Sequence, residues 1–225
     1  MQKIEICSYS DVLCIWAYVA ERRMEELAEN FGDQIAINTR FCSVFPDAWS
    51  KIEKKTDGFE GFNRHLQHVA EDYPHIDVHK DVWLTARPRT SFSPHVFLKA
   101  VALVEDEQSP PRPFLDRAST RATRETRSAF FAEAKDISDR QVHKEIAARI
   151  GIDYQAIDEK IRSSEAVAAV AADYDLAQKH GIQGSPTVLM NEGRQKLFGN
   201  VGYRLLEANV QELARRKPEN EASWC

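Results

Sequence analysis

Cys14 is the residue in this chain that is best placed to carry out chemistry. It follows a strand-like run at residues 3–9 and stands where a stretch with helical periodicity begins. The first N–H groups of a helix lack intrahelical partners, and the helix dipole is positive at that end. Both features favour a thiolate, which is the nucleophilic form of cysteine. We therefore expect Cys14 to be an activated nucleophile whose thiol pKa lies below its usual value.

Redox-active dithiol sites often have a second cysteine three residues after the first. Here Ala17 occupies that position. A dithiol cycle needs a second thiol that attacks the mixed disulfide. Cys42 ends the predicted second strand near the same edge of the sheet, so it is either a possible resolving thiol or, as for most buried cysteines, a packed structural thiol. Cys7 is expected in the core and Cys225 on a polar tail. The chain therefore has a nucleophile without a local resolving partner.

The periodicity of the apolar residues predicts an α/β fold in the order βαβ, then helices, then ββα. Asp11 is expected to cap the first helix, and Gly32 is expected to close it. The pattern between the two halves is helical, with further helices expected from near residue 93, after a cap at Ser138 or Asp139, and after Asp153. The main predicted elements are strands at 3–9, 35–41, 187–190 and 195–198 and helices at 14–31, 59–72, 114–134, 165–179 and 203–215.

Composition and charge exclude several classes of protein. The chain has 225 residues, a formal net charge of −5 and 29% charged residues, so a nucleic-acid partner, which needs a basic face, is not expected. It has no apolar run of about 18 residues and begins without a secretory leader, so we expect no membrane partner and a cytoplasmic location. His65 and His68 stand three apart on a predicted helix, but no cysteine or carboxylate is clearly arranged with them, so no metal site is expected.

Two segments resemble the DsbA family of thioredoxin-fold proteins. Residues 9–18 surround Cys14, where dithiol members carry Cys-Pro-Trp-Cys, and residues 181–187 contain Ser185 and Pro186 directly before a strand. The resemblance implies that the Ser185–Pro186 bond is cis and lies beside Cys14. His95 resembles a histidine that cytoplasmic members place at the start of an insertion helix. Trp16 is expected to rim the site, although core packing is about as plausible.

The resemblance also implies a division of the chain. Residues 1–57 and 181–217 would form the thioredoxin-like core, residues 58–180 a helical insertion with its connecting helix, and residues 218–225 a polar tail. The expected substrate-binding residues are then Trp16, His95, Ser185, Pro186 and Asn200.

A sister group shares this architecture, namely the kappa-class glutathione transferases and the 2-hydroxychromene-2-carboxylate isomerases. These enzymes place a serine at the position of Cys14 and hold glutathione partly by a Ser-Asp pair after a Phe-Gly. Here Phe198 and Gly199 are followed by Asn200 and Val201, so the acidic partner for the glutathione amine is absent at that position.

Three functions remain open on the sequence alone. The favoured one is a DsbA-like thiol-disulfide oxidoreductase that acts through Cys14, requires no cofactor and uses a thiol or disulfide substrate, with glutathione as a possible co-substrate. The first alternative is a glutathione-dependent transferase or isomerase, in which Cys14 would activate the glutathione sulfur. The second alternative is a redox-inert thioredoxin-fold binding module. A homodimer is possible in each case.

Overall fold

A four-stranded mixed sheet forms the centre of the thioredoxin-like half. The computed structural model describes residues 3–55, 57–108 and 110–215, so the predicted tail at 218–225, with Cys225, lies outside the described residues. The strands are ordered β2-β1-β3-β4, with β1 parallel to β2 and the other two neighbouring pairs antiparallel. Their bounds are β1 Ile4–Ser10, β2 Ile35–Phe41, β3 Thr187–Met190 and β4 Gln195–Phe198.

The first helix, α1 (Ile15–Phe31), makes the crossover between the parallel strands β1 and β2, as the spacing of the βαβ unit predicts. It ends at Gly32, which is helical rather than left-handed, with φ −52°. A Cβ atom at this position would lie 2.7 Å from the carbonyl oxygen of Ala28, so the glycine permits a close approach.

The remaining helices lie mostly between β2 and β3, which confirms the predicted helical insertion. Short 3-10 turns occur at Phe114–Asp116 and Asn191–Gly193. The helices are α2 Ala48–Glu53, α3 Gly58–Asp72, α4 Val82–Thr85, α5 Phe92–Gln108, α6 Ala118–Phe131, α7 Arg140–Ile150, α8 Tyr154–Arg162, α9 Glu165–Lys179 and α10 Tyr203–Ala214.

The structure corrects several predicted boundaries. The helix predicted at 114–134 is broken, because α6 begins only at Ala118, where the Glu105 carboxylate accepts hydrogen bonds from the backbone N–H groups of Ala118 and Ser119. The short helices α2 and α4 were not predicted, since four to six residues carry too little periodicity. Strand β1 lies one residue further along the chain than predicted.

The apolar core joins the sheet half to the helical layer. Val12, Leu13 and Cys14 belong to the same buried cluster as Trp83 and Phe130 of the helical layer, while a second cluster fills the space between α1, the sheet and α10. Burial of an aromatic or aliphatic side chain contributes about 1.5–3 kcal/mol. The loop that carries Cys14 is therefore fixed by packing against the insertion. None of the helices in the described part of the chain is long and apolar enough to cross a membrane.

A buried carboxylate ties α9 to β2 and α5. Asp173 is fully buried, and its oxygens accept hydrogen bonds from the Arg40 side chain (2.8 Å) and the Phe41 backbone N–H (3.0 Å). The Lys99 ammonium lies 2.6 Å from the same carboxylate. This cluster also covers an outward-facing N–H of the edge strand β2, which would otherwise be exposed.

Replacing Asp173 by Asn should lower the free energy of unfolding by about 2–3 kcal/mol. The neutral amide leaves the charges of Arg40 and Lys99 without their carboxylate partner. Breaking a fully buried ion pair costs about 3–5 kcal/mol, and we expect less here because Arg40 is partly exposed. Asp175→Asn on the same helix removes an exposed pair with Lys179 and should change stability by less than about 0.5 kcal/mol. Urea denaturation compares the two variants. Equal losses would contradict the structural role assigned to Asp173.

Candidate active site

Cys14 lies at the N-terminal end of α1 and faces the loop that precedes β3. It is the N-cap residue of the helix, and its Sγ atom lies 3.2 Å from the carbonyl oxygen of Ser185. The Ser185–Pro186 peptide bond is cis, as predicted. Only 7% of Cys14 is exposed. The thiol and the backbone of the residue before the cis-proline therefore form one site.

The structure contradicts the expected acidity of Cys14. Burial raises the pKa of the Cys14 thiol, and the nearby Asp11 charge adds to this, although the Ser185 hydroxyl and the backbone N–H groups of Ala17 and Trp16 act in the opposite direction. Only the protonated thiol can donate a hydrogen bond to the Ser185 carbonyl, which also favours the neutral form. The resting site therefore holds a thiol, since the loss of water outweighs the helix N-terminus.

Asp11 is the residue around which the site is built. Its carboxylate is fully buried and accepts hydrogen bonds from the backbone N–H groups of Leu13 (2.9 Å), Val44 (2.9 Å) and Phe45 (3.0 Å). The Ser91 hydroxyl donates a fourth hydrogen bond at 2.7 Å. One side chain thus joins the loops after β1 and β2 to the loop before α5.

Asp11 does not cap α1, which corrects its predicted role. Cys14 occupies the N-cap position without a side-chain capping bond. The backbone N–H of Asp11 instead donates to the Ser185 hydroxyl at 2.9 Å. This bond fixes the cis-proline loop against the loop that carries the thiol.

His95 supports the same loop from the insertion side. Its Nε2 atom accepts a hydrogen bond from the Val12 N–H at 3.2 Å, so Nδ1 carries the proton and donates to the Tyr174 hydroxyl at 2.8 Å. Burial lowers the pKa of His95 to about 4, which keeps the ring neutral. His95 is fully buried and lies behind the loop that carries Cys14, so it positions the site rather than contacting a substrate.

Trp16 and Asn200 both contact the side chain of Tyr73. Trp16 is half-buried and makes edge contacts with the rings of Tyr73 (5.9 Å) and His65 (6.3 Å). The Asn200 side-chain amide donates to the Tyr73 hydroxyl at 2.6 Å and its oxygen accepts from Arg23. Trp16 lies in the first turn of α1, two residues after Cys14, and the Tyr73 ring joins it to Asn200.

Cys42 lies next to the same loop. Its Sγ atom is 4.0 Å from the carbonyl oxygen of Gly184, the residue before Ser185. Burial raises the pKa of the Cys42 thiol, and the charge of Asp11 raises it further. The two thiols therefore face successive carbonyls, and burial raises the pKa of both.

Metal binding is a separate question. Across the described residues, no group of three or more His, Cys, Asp or Glu side chains is arranged to hold a metal ion.

Sequence reasoning missed two features of the site. Tyr174 on α9 is the hydrogen-bond partner of His95. The pattern of apolar residues in α9 predicts the helix but not this contact. The ammonium of Lys51 donates to the Val44 carbonyl at 2.7 Å, on the loop that Asp11 holds. Burial lowers the pKa of Lys51, although the charge of Asp11 acts in the opposite direction. No sequence pattern pairs His95 with Tyr174, which is 79 residues away, or aims the Lys51 side chain at a carbonyl seven residues earlier.

Comparison with known proteins agrees with this geometry. The family profile of the DSBA-like thioredoxin domain matches residues 5–211, which include the thiol, the insertion and the cis-proline. The chain belongs to the DSBA-like thioredoxin domain family. No curated protein matched in the search of full sequences.

Several solved structures share this fold at low sequence identity. A candidate protein disulfide isomerase from Nitrosomonas europaea has a TM-score of 0.73 and 15% identity, covering 94% of this chain and 99% of its own. The cytosolic disulfide reductase DsbM from Pseudomonas aeruginosa has a TM-score of 0.67 and 18% identity, with 93% and 100% coverage, and a structure of DsbM with GSH is also similar. A 2-hydroxychromene-2-carboxylate isomerase has a TM-score of 0.64 and 16% identity, with 94% and 96% coverage.

The neutral state of His95 should make stability depend on pH. Between pH 6.5 and about 4 the unfolded histidine binds a proton that the folded one does not. Stability from this residue is therefore complete above pH 6.5 and is lost as the pH falls to about 4, by about 3 kcal/mol. Urea denaturation across this range should show a smaller loss for His95→Gln than for the wild type. His143 also has a lowered pKa, but it is present in both proteins, so its contribution cancels when their stabilities are subtracted. The same dependence of stability on pH in both proteins would refute the neutral state assigned to His95.

The raised pKa of Cys14 should appear directly in its titration. Thiolate absorbance at increasing pH, measured as the difference between the wild type and Cys14→Ser, should give a midpoint above the free-thiol value of about 8.5. A midpoint below that value would show that the helix N-terminus outweighs burial.

Proposed function

We propose that this protein catalyses thiol-disulfide exchange through Cys14 alone. The observation that carries the proposal is the placement of the Cys14 sulfur 3.2 Å from the Ser185 carbonyl, beside the cis-proline. An extended substrate could pair with the backbone of Ser185 as an added strand, which would place its disulfide next to the thiol. Membership of the DSBA-like family and the similarity to a disulfide reductase support this activity.

The exchange proceeds in three balanced steps. The Cys14 thiolate attacks one sulfur of a substrate disulfide, forming a mixed disulfide and releasing the other sulfur as a thiolate. A second thiol then attacks the Cys14 sulfur, which releases the substrate as a thiolate and leaves its own sulfur on Cys14. Another molecule of that thiol attacks the new mixed disulfide and restores Cys14. The substrate gains two electrons, and the external thiol is oxidised to its disulfide.

Glutathione is the external thiol that we propose. Ala17 cannot resolve the mixed disulfide, and the strongly raised pKa of Cys42 makes that buried thiol a poor attacking group. A small external thiol avoids both obstacles. The structure of DsbM with GSH supports this choice by analogy of fold. We place the activity in the cytoplasm, where thiols are kept reduced.

The raised pKa of Cys14 favours a second candidate function. A protonated thiol that donates a hydrogen bond resembles the serine of the glutathione-dependent isomerases and transferases more than it resembles a nucleophile. In that case Cys14 would hold and activate the glutathione sulfur without forming a covalent bond to it. A binding module without redox activity is the third candidate, and the absence of both adduct and glutathione binding would support it.

Glutathione disulfide should convert Cys14 to a mixed disulfide with glutathione. Mass spectrometry should locate this adduct on Cys14, at a rate that increases with pH because the thiolate fraction is small at neutral pH. Cys14→Ser is the control and should form no adduct at that position. Tight glutathione binding without any adduct would favour the transferase or isomerase instead.

Dithiol activity should be absent in the wild type and created by Ala17→Cys. Ala17 lines a cavity of about 60 Å³ beneath α1, so a sulfur atom at this position has room. An insulin-reduction assay should show turbidity only for the variant. Robust reduction by the wild type that is lost in Cys42→Ser would instead assign the resolving role to Cys42.

A further inference from the structure

A continuous strip of aromatic rings runs across the face that carries Cys14. We name Tyr73, Trp16, His65 and Phe62 the aromatic strip. Tyr73 contacts Trp16 at 5.9 Å between ring centroids, Trp16 contacts His65 at 6.3 Å, and His65 contacts Phe62 at 6.1 Å. Trp16, Phe62 and Tyr73 are half-buried and His65 is exposed, so the strip has an accessible surface.

Each end of the aromatic strip carries a cation. The Arg23 guanidinium lies 6.0 Å from the centre of the Tyr73 ring, and the Lys55 ammonium lies 4.9 Å from the centre of Phe62. Lys51 adds a third cation above Phe45, which contacts Phe62 at 6.2 Å. None of the three cations has a carboxylate within 4.0 Å among the described residues, although the chain is acidic overall.

The aromatic strip belongs to the thiol site. Trp16 lies in the first turn of α1, two residues after Cys14. Tyr73 accepts a hydrogen bond from Asn200, and the neighbouring Gly199 N–H donates to the Pro186 carbonyl at 2.9 Å. A substrate whose sulfur reaches Cys14 therefore has the aromatic strip beside it.

From this arrangement we infer that the preferred substrates are acidic polypeptides whose reactive cysteine is flanked on both sides by carboxylates. The inference rests on the proposed function and names its substrate class. Five successive contacts of about 5–6 Å join Arg23 to Lys55 along the strip, so a ligand that touches every ring must follow a path longer than the roughly 10 Å of an extended tripeptide. A longer segment is needed to follow the whole strip, with apolar stems on the rings and carboxylates on the cations.

Matched peptides provide the test. Each peptide has one cysteine held as a mixed disulfide with 2-mercaptoethanol, flanked on both sides by Glu, by Gln or by Lys. Cys14 attacks the mercaptoethanol sulfur, forms a disulfide with it and releases the peptide thiolate. The rate of this transfer, measured by quenched mass spectrometry, is divided by the rate of dithiothreitol with the same peptide. The division removes intrinsic differences in leaving-group reactivity.

The Glu peptide should react at least about fivefold faster than the Gln peptide at low salt, and the Lys peptide should react most slowly. Exposed charge pairs contribute about 0.2–1 kcal/mol each, so Lys55→Gln and Arg23→Gln should each lower the Glu-to-Gln ratio by up to about fivefold. High salt should reduce the ratio, because it screens exposed charges. Lys144→Gln is the matched control, since Lys144 on α7 lies 5.6 Å from the centre of the Tyr154 ring on α8, and it should leave the ratio unchanged.

A binding measurement separates this inference from the proposed function. Fluorescently labelled Glu and Gln peptides in which serine replaces the cysteine report recognition without chemistry. Preferential binding of the Glu peptide that is weakened by Lys55→Gln supports the strip even if Cys14 transfers no disulfide, in which case the proposed function alone fails. Equal binding and equal transfer rates for the Glu and Gln peptides would overturn the inference, as would a preference confined to glutathione disulfide.

Discussion

The site depends on one buried carboxylate, that of Asp11. Four donors from three separate segments converge on it, and its own backbone N–H holds the Ser185 hydroxyl. A buried carboxylate is tolerated only when hydrogen bonds replace its hydration, so the three segments must be in place together. The same carboxylate adds to the raised pKa of the Cys14 thiol. The group that assembles the site thus also restrains its reactivity.

The Cys14 sulfur rests as a protonated thiol rather than as the reactive thiolate. Burial and the Ser185 carbonyl favour the protonated form of Cys14, while the N-terminus of α1 offers N–H groups to the thiolate that forms during exchange. Positive potential near the sulfur would shift this balance toward the thiolate. The cations at the ends of the aromatic strip supply such potential, and they also offset the negative charge of an acidic substrate.

Local patterns predicted the secondary structure well and the tertiary contacts poorly. Strands β2, β3 and β4 and helix α9 have the predicted bounds, and Asp139 and Asp153 cap their helices. The cysteine at a strand-to-helix junction and the proline before a strand were also visible in the sequence. Asp11 was misassigned as a helix cap because its partners Val44, Phe45 and Ser91 are 33 to 80 residues away. The predicted low pKa of Cys14 was also wrong, because the burial that raises it depends on packing against distant residues of the insertion.

The most direct test of this account is amide hydrogen exchange in Asp11→Asn, resolved by residue. The asparagine places an NH₂ group where the carboxylate accepted hydrogen bonds, so donors on that side lose their partner. We predict a joint loss of protection at residues 12–14 and 43–45 and at the start of α5, with α7 and α8 unchanged. Unchanged protection in these loops, or a uniform loss throughout the protein, would contradict the central role of Asp11.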